Sequence, residues 1–523
     1  MLSLSKKGYF LKRDEGFLRL KENNNFDVII IGGGATGSAL AFDSASRGYK
    51  TLLLEAYDFA KGTSSRSTKL LHGGVRYLAQ ANFSLVREAL RERNRFFNNA
   101  PHLCKQQNFI IPNEGITEAL YYYLGLKLYD MLAGKFNFKK TSFLNKIELN
   151  AKLLGLDRTK FNYGISYTDG RFDDARMALS LIQSAYEYKA LVLNYSLVTN
   201  LLKDEQGYIK GLIFEDLIHQ QEFEVYSKCV INATGVFASN ILKMDKSSND
   251  LVLSQGVHIV LDKEFFPNEY ALMIPKTEDG RVLFIIPWYD KLLLGTTDTE
   301  VKKLSYEPKA FEEEIDFILN EAYKMLVKKP QRSDIKSVFV GLRPLIKSSA
   351  KESKKLSRSH KIELHSSRLI DISGGKYTTI RAMAEQCIQK AIKWGLLESK
   401  VCKTKNLKLI FYDEKMQFDE RLSVYGTQAT KIKELEKTKL AKKIHPEYPY
   451  TYAQVFHALE EEMAQNVEDI LARRIRLLFI DAKACIECAK EVNDFVAQYF
   501  KWDKQRTDRA LAEFLSLARK YQI

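Results

Sequence analysis

The chain is poor in cysteine, proline, histidine and tryptophan, with 6, 10, 8 and 3 of them in 523 residues. Six cysteines spread this thinly cannot make the cross-linked framework of a small secreted domain, and they suit a reducing compartment. Only Cys485 and Cys488 form a CxxC pair, inside DAKACIECAKEV, which reads as a helix. With no second pair or nearby histidine, a redox or zinc pair is the weaker reading; two buried helix cysteines is the favoured one, and no metal site is expected. No apolar run reaches the ~18 residues that span a bilayer. The first 25 residues lack an apolar h-region, so a secretory signal is not expected; Asp14, Glu15 and Glu22 count against a mitochondrial transit peptide. With 45% hydrophobic and 28% charged residues, collagen-like, mucin-like and largely disordered chains are also excluded.

What is abundant is positive charge. Lys and Arg number 80 against 65 Asp and Glu, a net charge of +15. That admits nucleic acid, an anionic membrane surface or small anionic substrates. No nucleic-acid-binding motif is present, and the basic residues form no block interleaved with aromatics, so nucleic acid ranks last.

The strongest local pattern is FDVIIIGGGATGSALAFDSASRG, 26–48. A β-branched apolar run predicts a buried parallel strand, followed by a glycine turn, a small-residue helix and a second strand over 49–56. Gly32, Gly34 and Gly37 give GxGxxG, and Glu55 lies 23 residues after Gly32. Gly32 makes the tight turn, Gly34 lets a pyrophosphate approach the backbone, Gly37 lets helix and strand pack, and the carboxylate accepts from a ribose hydroxyl. The helix N-terminus supplies N–H groups and positive potential for the phosphates. This predicts a bound dinucleotide.

FAD is favoured over NAD by three further segments. KGTSSRSTKLLHGGVRYL, 61–78, is long and hydroxyl-rich; INATG, 231–235, and SGGKYTT, 373–379, each end a strand in small residues and glycine. Such sites suit an extended cofactor held by an interleaved domain. Elsewhere the pattern predicts helices over 80–100, 116–133 and 174–190, a strand LVLNYSLV over 191–198, antiparallel strands within 207–231, a hairpin over 281–297, and long amphipathic helices beyond 404.

In this order, IIIGGGATGSALAFDSASRG, GTSSRSTKLLHGGVRYL, INATG, GTTD, GLRPL, SRSH and SGGKYTT resemble the FAD-dependent glycerol-3-phosphate dehydrogenases of the D-amino-acid-oxidase-like superfamily, and the resemblance continues into ARRIRLLF, 472–479. It implies an α/β fold: a Rossmann-like FAD-binding domain (26–105, 155–250 and 335–403) interleaved with a mixed α+β substrate domain dominated by an antiparallel sheet (106–154 and 251–334). An N-terminal extension (1–25) and a C-terminal all-α domain (404–523) complete it. It also implies oxidation of sn-glycerol 3-phosphate to dihydroxyacetone phosphate, with electrons going to membrane quinone or, in oxidase relatives, to O2. The expected setting is the cytoplasmic membrane surface, with the mitochondrial inner membrane as the other one allowed. The assembly is left open, a homodimer included.

The site follows from substrate chemistry and the resemblance together. A phosphate dianion asks for arginine forks. Arg343 of GLRPL and Arg76 of GGVRY are expected in the substrate pocket, Arg358 of SRSH on the phosphate, and Tyr77 at the pocket wall. A neutral histidine suits the hydroxyl proton. His258 of SQGVHIV is the favoured base, and His72 fits cofactor positioning better. Thr63, Ser64, Ser65, Lys69, Leu71 and Gly235 join the cofactor set, as do Gly375, Lys376 and Thr378. Lys376 is expected near the flavin ring, with Thr378 or Thr379 capping the next helix. Thr296, Thr297 and Asp298 read as structural support or pocket rim. After NATG the family usually has tryptophan; here Val236-Phe237 stands there, keeping an aromatic ring. Residues 119–140, with Tyr121, Tyr122, Tyr123, Leu124, Leu126 and then Lys135, Lys139 and Lys140, are the first candidate for a membrane contact. A helix buried in the core or at a subunit interface is the alternative.

Overall fold

The computed structural model describes residues 11–78, 82–278, 280–347, 360–415 and 419–523. The run Val28–Ile31 is buried on both faces and pairs in parallel with Thr51–Leu54 on one side and Val230–Asn232 on the other. Leu191–Leu193 and Ile370–Gly374 extend this sheet in parallel at its two ends, and His360–Leu364 closes one edge antiparallel. The two faces read directly from the strand alternation. Val28 and Ile30 pack with helices Ala35–Arg47, Asp174–Glu187 and Ile380–Lys393. Ile29 and Ile31 pack with a three-stranded meander, Ser196–Lys203, Ile209–Asp216 and Gln221–Tyr226.

Two expectations change here. LVLNYSLV is not one strand: Tyr195 takes a left-handed φ of 52°, so Leu191–Leu193 stays in the parallel sheet while Ser196 starts the meander. The segment before residue 26 is more than an extension. Its described helix Arg13–Glu22 lays Phe17 against Phe214 and Phe223 and buries Arg13 in an ion pair with Asp216.

The second sheet has ten strands and is mostly antiparallel. From Leu251–Asp262 it runs through Lys291–Gly295, Leu283–Trp288, Ala271–Ile274, Cys104–Asn113 and Tyr163–Phe172 to Leu70–Leu71. Ser337–Ile346 lies on the other side of Leu251–Asp262. The hairpin over 283–295 turns at Tyr289 and Asp290, both with positive φ, as a tight two-residue β-turn requires. Boundaries at 155 and 335 leave Tyr163–Phe172 and Ser337–Ile346 outside this sheet, yet both hydrogen-bond into it. Their partners are distant in sequence, and no local pattern reports that pairing.

The helices beyond 404 do not build a core of their own alone. Val455, Leu471, Phe479, Cys485 and Val492 share one apolar cluster with Val260, Trp288, Leu293 and Phe339 of the large sheet. Cys485 and Cys488 are buried free thiols on helix Ala482–Phe500, with no metal-type cluster among the described residues.

Candidate active site

Because the strands of the first sheet run parallel, their carboxyl ends fall on one edge, where doubly wound sheets hold ligands. Gly32, Glu55, the turn Ala233–Gly235 and the turn Gly374–Lys376 all lie at such ends, so segments separated by up to 344 residues meet there. Gly32 has φ +105°, and a Cβ on it would stand 2.8 Å from the Ala233 carbonyl oxygen. A Cβ on Gly37 would collide with the Gly32 carbonyl oxygen. Gly235 has φ +61° and open space where a side chain would be. Gly34 stands at the N-cap of helix Ala35–Arg47, and Ala35 N–H donates to Ser64 Oγ at 2.8 Å. The Glu55 carboxylate accepts from Gly33 N–H at 2.6 Å and Tyr57 N–H at 3.0 Å. Burial raises Glu55 above the ordinary carboxyl range, and these two amides oppose it. Small residues where the backbone must be approached, a helix N-terminus at the glycine turn and an acid at the second strand's end fit FAD. Gly32, Gly34, Gly37, Glu55, Ser64 and Gly235 would hold it. Phe237 stacks on Tyr306 at 3.8 Å, so the aromatic character after NATG has a packing partner.

The segment 62–72 leaves this cradle and crosses to the second sheet. Thr63 Oγ1 donates to the Leu342 carbonyl at 2.5 Å. Lys69 departs from expectation. Its φ of 62° turns the side chain into the interior, where Nζ is fully buried and donates to Ser65 O at 2.8 Å and Asp174 Oδ2 at 2.7 Å. Burial, only partly offset by Asp174, pushes Lys69 down to about 8. Two of its ammonium donors are therefore committed to the protein. Ser65 and Leu71 are likewise buried, while His72 remains half-buried beside Gly73.

Thr68, one residue earlier, places its hydroxyl 3.0 Å from His258 Nε2. His258 lies on Leu251–Asp262, opposite Phe339 of Ser337–Ile346, and its ring stacks on Phe339 at 5.0 Å. On the same face, two and four residues along, the pairs are Gly256 with Gly341 and Ser254 with Arg343. The paired glycines leave a trough. Into it folds the Arg343 guanidinium: a Cβ on Gly256 would fall on Nη2, and one on Gly341 would stand 3.0 Å from the Arg66 carbonyl. Arg343 donates to Thr296 Oγ1 at 2.8 Å and Thr297 O at 3.1 Å, and Asp298 stands 3.6 Å away. GTTD is thus the bracket that aims the arginine. Burial first, then the charges of Lys69 and Arg343, push His258 well below the ordinary histidine range, so the ring is neutral at pH 7. A neutral, buried base beside a fixed cation can take a proton from an anionic alcohol.

Gly375, with φ +85°, packs against Met383, and Lys376 starts the turn Tyr377–Thr379. No side-chain cap forms on the next helix. Thr379 occupies its N-cap, but its hydroxyl donates back to Lys376 O, and Thr378 is buried in the preceding turn. The side chains of Arg76 and Tyr77, and all of Arg358, lie outside the described residues. Sequence reasoning missed Thr68, Phe339, Asp174 and Arg476. Only the last left a signal, as three arginines within an apolar stretch, ARRIRLLF.

Residues 27–375 match the family model FAD dependent oxidoreductase, and 368–507 match the C-terminal domain of alpha-glycerophosphate oxidase. The probable mitochondrial glycerol-3-phosphate dehydrogenase of Dictyostelium discoideum is 36% identical over 93% of this chain and 83% of its own length. The mitochondrial glycerol-3-phosphate dehydrogenase of Homo sapiens is 35% identical over 97% of this chain and 75% of its own. Among solved structures, the glycerol-3-phosphate dehydrogenase from Bacillus halodurans complexed with FAD superposes with a TM-score of 0.79, at 28% identity, over 98% of both chains. The cradle and the fold agree with these relatives, and the chain belongs to the glycerol-3-phosphate dehydrogenase family of FAD-dependent oxidoreductases.

Proposed function

We propose that this protein oxidises sn-glycerol 3-phosphate to dihydroxyacetone phosphate and passes the electrons to a quinone at a lipid surface. The observation that carries the substrate is one neutral imidazole and one bracketed guanidinium on a single sheet face, joined to the cofactor cradle by residues 64–68. A secondary alcohol beside a phosphate monoester needs that pair of groups. Arg343, already oriented by Thr296 and Thr297, takes phosphate oxygens. His258 takes the C2 hydroxyl proton, and the Thr68 hydroxyl, 3.0 Å from Nε2, holds the ring in place. FAD, when bound, supplies the acceptor for the C2 hydride. Lys376 and the turn after it lend positive potential to the cofactor's polar edge. Loss of the proton from oxygen and the hydride from carbon leaves the ketone.

Support for the lipid surface comes from helix Ile116–Ala133. Its Ala119, Leu126 and Tyr129 face the core, with the Tyr129 hydroxyl on Asp169 and Gly73 N–H. The opposite side is also apolar and exposed: Ile116, Leu120, Tyr121, Leu124 at 67% and Met131 at 72%, followed by exposed Lys135, Lys139 and Lys140. No helix among the described residues is long and apolar enough to cross a membrane, so contact with a lipid-dissolved quinone has to be made from the surface. The protein is expected to float with vesicles containing anionic lipid, and Leu120→Glu with Leu124→Glu to abolish flotation while leaving turnover with a water-soluble acceptor intact. With substrate in air, product should require added quinone. Stoichiometric peroxide without it, from protein that does not float, would favour a soluble oxidase instead.

A further inference from the structure

Arg473, Arg474 and Arg476 are all buried. A buried guanidinium costs several kcal/mol unless carboxylates and carbonyls answer it. Asp58 answers the first two, at 2.5 Å from Arg473 Nε and 2.8 Å from both terminal nitrogens of Arg474. Arg476 reaches further along the same cofactor segment. Its Nη2 donates to Ser65 O at 2.8 Å and to Asp174 Oδ1 at 3.2 Å. The other oxygen of Asp174 accepts from Ser67 N–H at 2.9 Å, Ser67 Oγ at 2.7 Å and Lys69 Nζ at 2.7 Å. Residues 65, 67 and 69 are thereby pinned, and the residue between the last two is Thr68, whose hydroxyl meets His258.

The same unit also backs the other side of the histidine. The Lys69 ammonium sits 5.1 Å from the Phe339 ring on which His258 stacks. Phe479 meets Phe339 edge-on at 4.9 Å, and the Arg476 guanidinium lies 4.5 Å over Phe479. Both contacts that set the imidazole, the Thr68 hydroxyl and the Phe339 face, therefore rest on groups that Arg476 holds.

We propose that Arg476, a residue of the C-terminal helical part, is a positioning residue of the active site: through Asp174 and Lys69 it fixes the Thr68 hydroxyl and the Phe339 ring that orient His258. The inference rests on His258 as proton acceptor. Arg476 itself touches no reacting group.

The test uses full-length holoenzyme of the wild type, Arg476→Met, Arg476→Lys, Thr68→Val and His258→Ala, with flavin content measured by absorbance before any assay. Arg476→Met is expected to keep its FAD, to lose about ten- to a hundredfold in kcat, and to change KM by less than about threefold, as a misplaced catalytic group does. Arg476→Lys should recover part of the loss, and Thr68→Val should reproduce it. In a His258→Ala background Arg476→Met should cost less than about threefold more, because coupled residues are not additive. Equal losses in both backgrounds, a raised KM at constant kcat, or a fully active Thr68→Val would overturn the proposal. So would loss of FAD from Arg476→Met while Thr68→Val stays active, which would assign Arg476 to cofactor retention. An unchanged rate of flavin reduction in His258→Ala alone would instead remove the reading on which the inference rests.

Discussion

Arg343→Ala raises the KM for sn-glycerol 3-phosphate by about two to four orders of magnitude and leaves the FAD content unchanged. The size follows from two charge-assisted hydrogen bonds worth about 1.5–3 kcal/mol each, at about 1.4 kcal/mol per tenfold. FAD is retained because Arg343 lies on the large sheet, where its guanidinium donates to Thr296, Thr297 and Gln255. The trough gives a second way to the same result without removing the arginine. In Gly256→Ala the new methyl takes the place of the guanidinium's end and stands 2.5 Å from Thr296 Oγ1. The arginine must swing away, and KM is expected to rise by about tenfold or more. Steady-state kinetics on both variants decide this. Unchanged KM in Arg343→Ala would remove the phosphate role, and a silent Gly256→Ala would mean the trough is not where the phosphate is read.

His258→Ala slows flavin reduction in stopped flow by about a hundred- to ten-thousandfold, the range general-base removal produces. The pH dependence follows the same residue. Burial, Lys69 and Arg343 hold His258 well below the usual histidine value of about 6.5, so the wild type keeps its base in working form through neutrality. The acid limb of kcat/KM that belongs to it lies below that value. The same depression has a sign for stability. The unfolded chain protonates this histidine at a higher pH than the fold does, so its contribution is present above the unfolded pKa and is lost as pH falls toward the folded one. His258→Ala should flatten stability across that acidic window. An unaffected reduction rate with the acid limb preserved would show that another group takes the proton.

Much of the cofactor side was legible because its signals are local. A strand buried on both faces, a glycine turn and a small-residue helix lie within one stretch of chain, and the GxGxxG spacing fixes each glycine's job. The parallel sheet then explains why INATG and SGGKYTT join them. The substrate side was legible only in part. His258 and Arg343 are expected at the site from chemistry and resemblance, but the trough beside them depends on Gly256 and Gly341 being paired across strands some 85 residues apart, and no local pattern reports register. The burial of Lys69 was not legible: its positive φ and its carboxylate partner 105 residues away turn it inward. Arg476 shows the same limit. ARRIRLLF announces cations that need buried partners without saying that they are Asp58 and Asp174. The break at Tyr195 and the docked helix Arg13–Glu22 are tertiary outcomes of the same kind.

The measurement that tests the central claim most directly is an anaerobic titration of the purified yellow protein with sn-glycerol 3-phosphate, followed at the flavin band near about 450 nm. The band should bleach with one equivalent of substrate per flavin, with dihydroxyacetone phosphate appearing in equal amount, while glycerol at the same concentration leaves it unchanged. A band that persists with sn-glycerol 3-phosphate, or that bleaches equally with glycerol, would contradict the account.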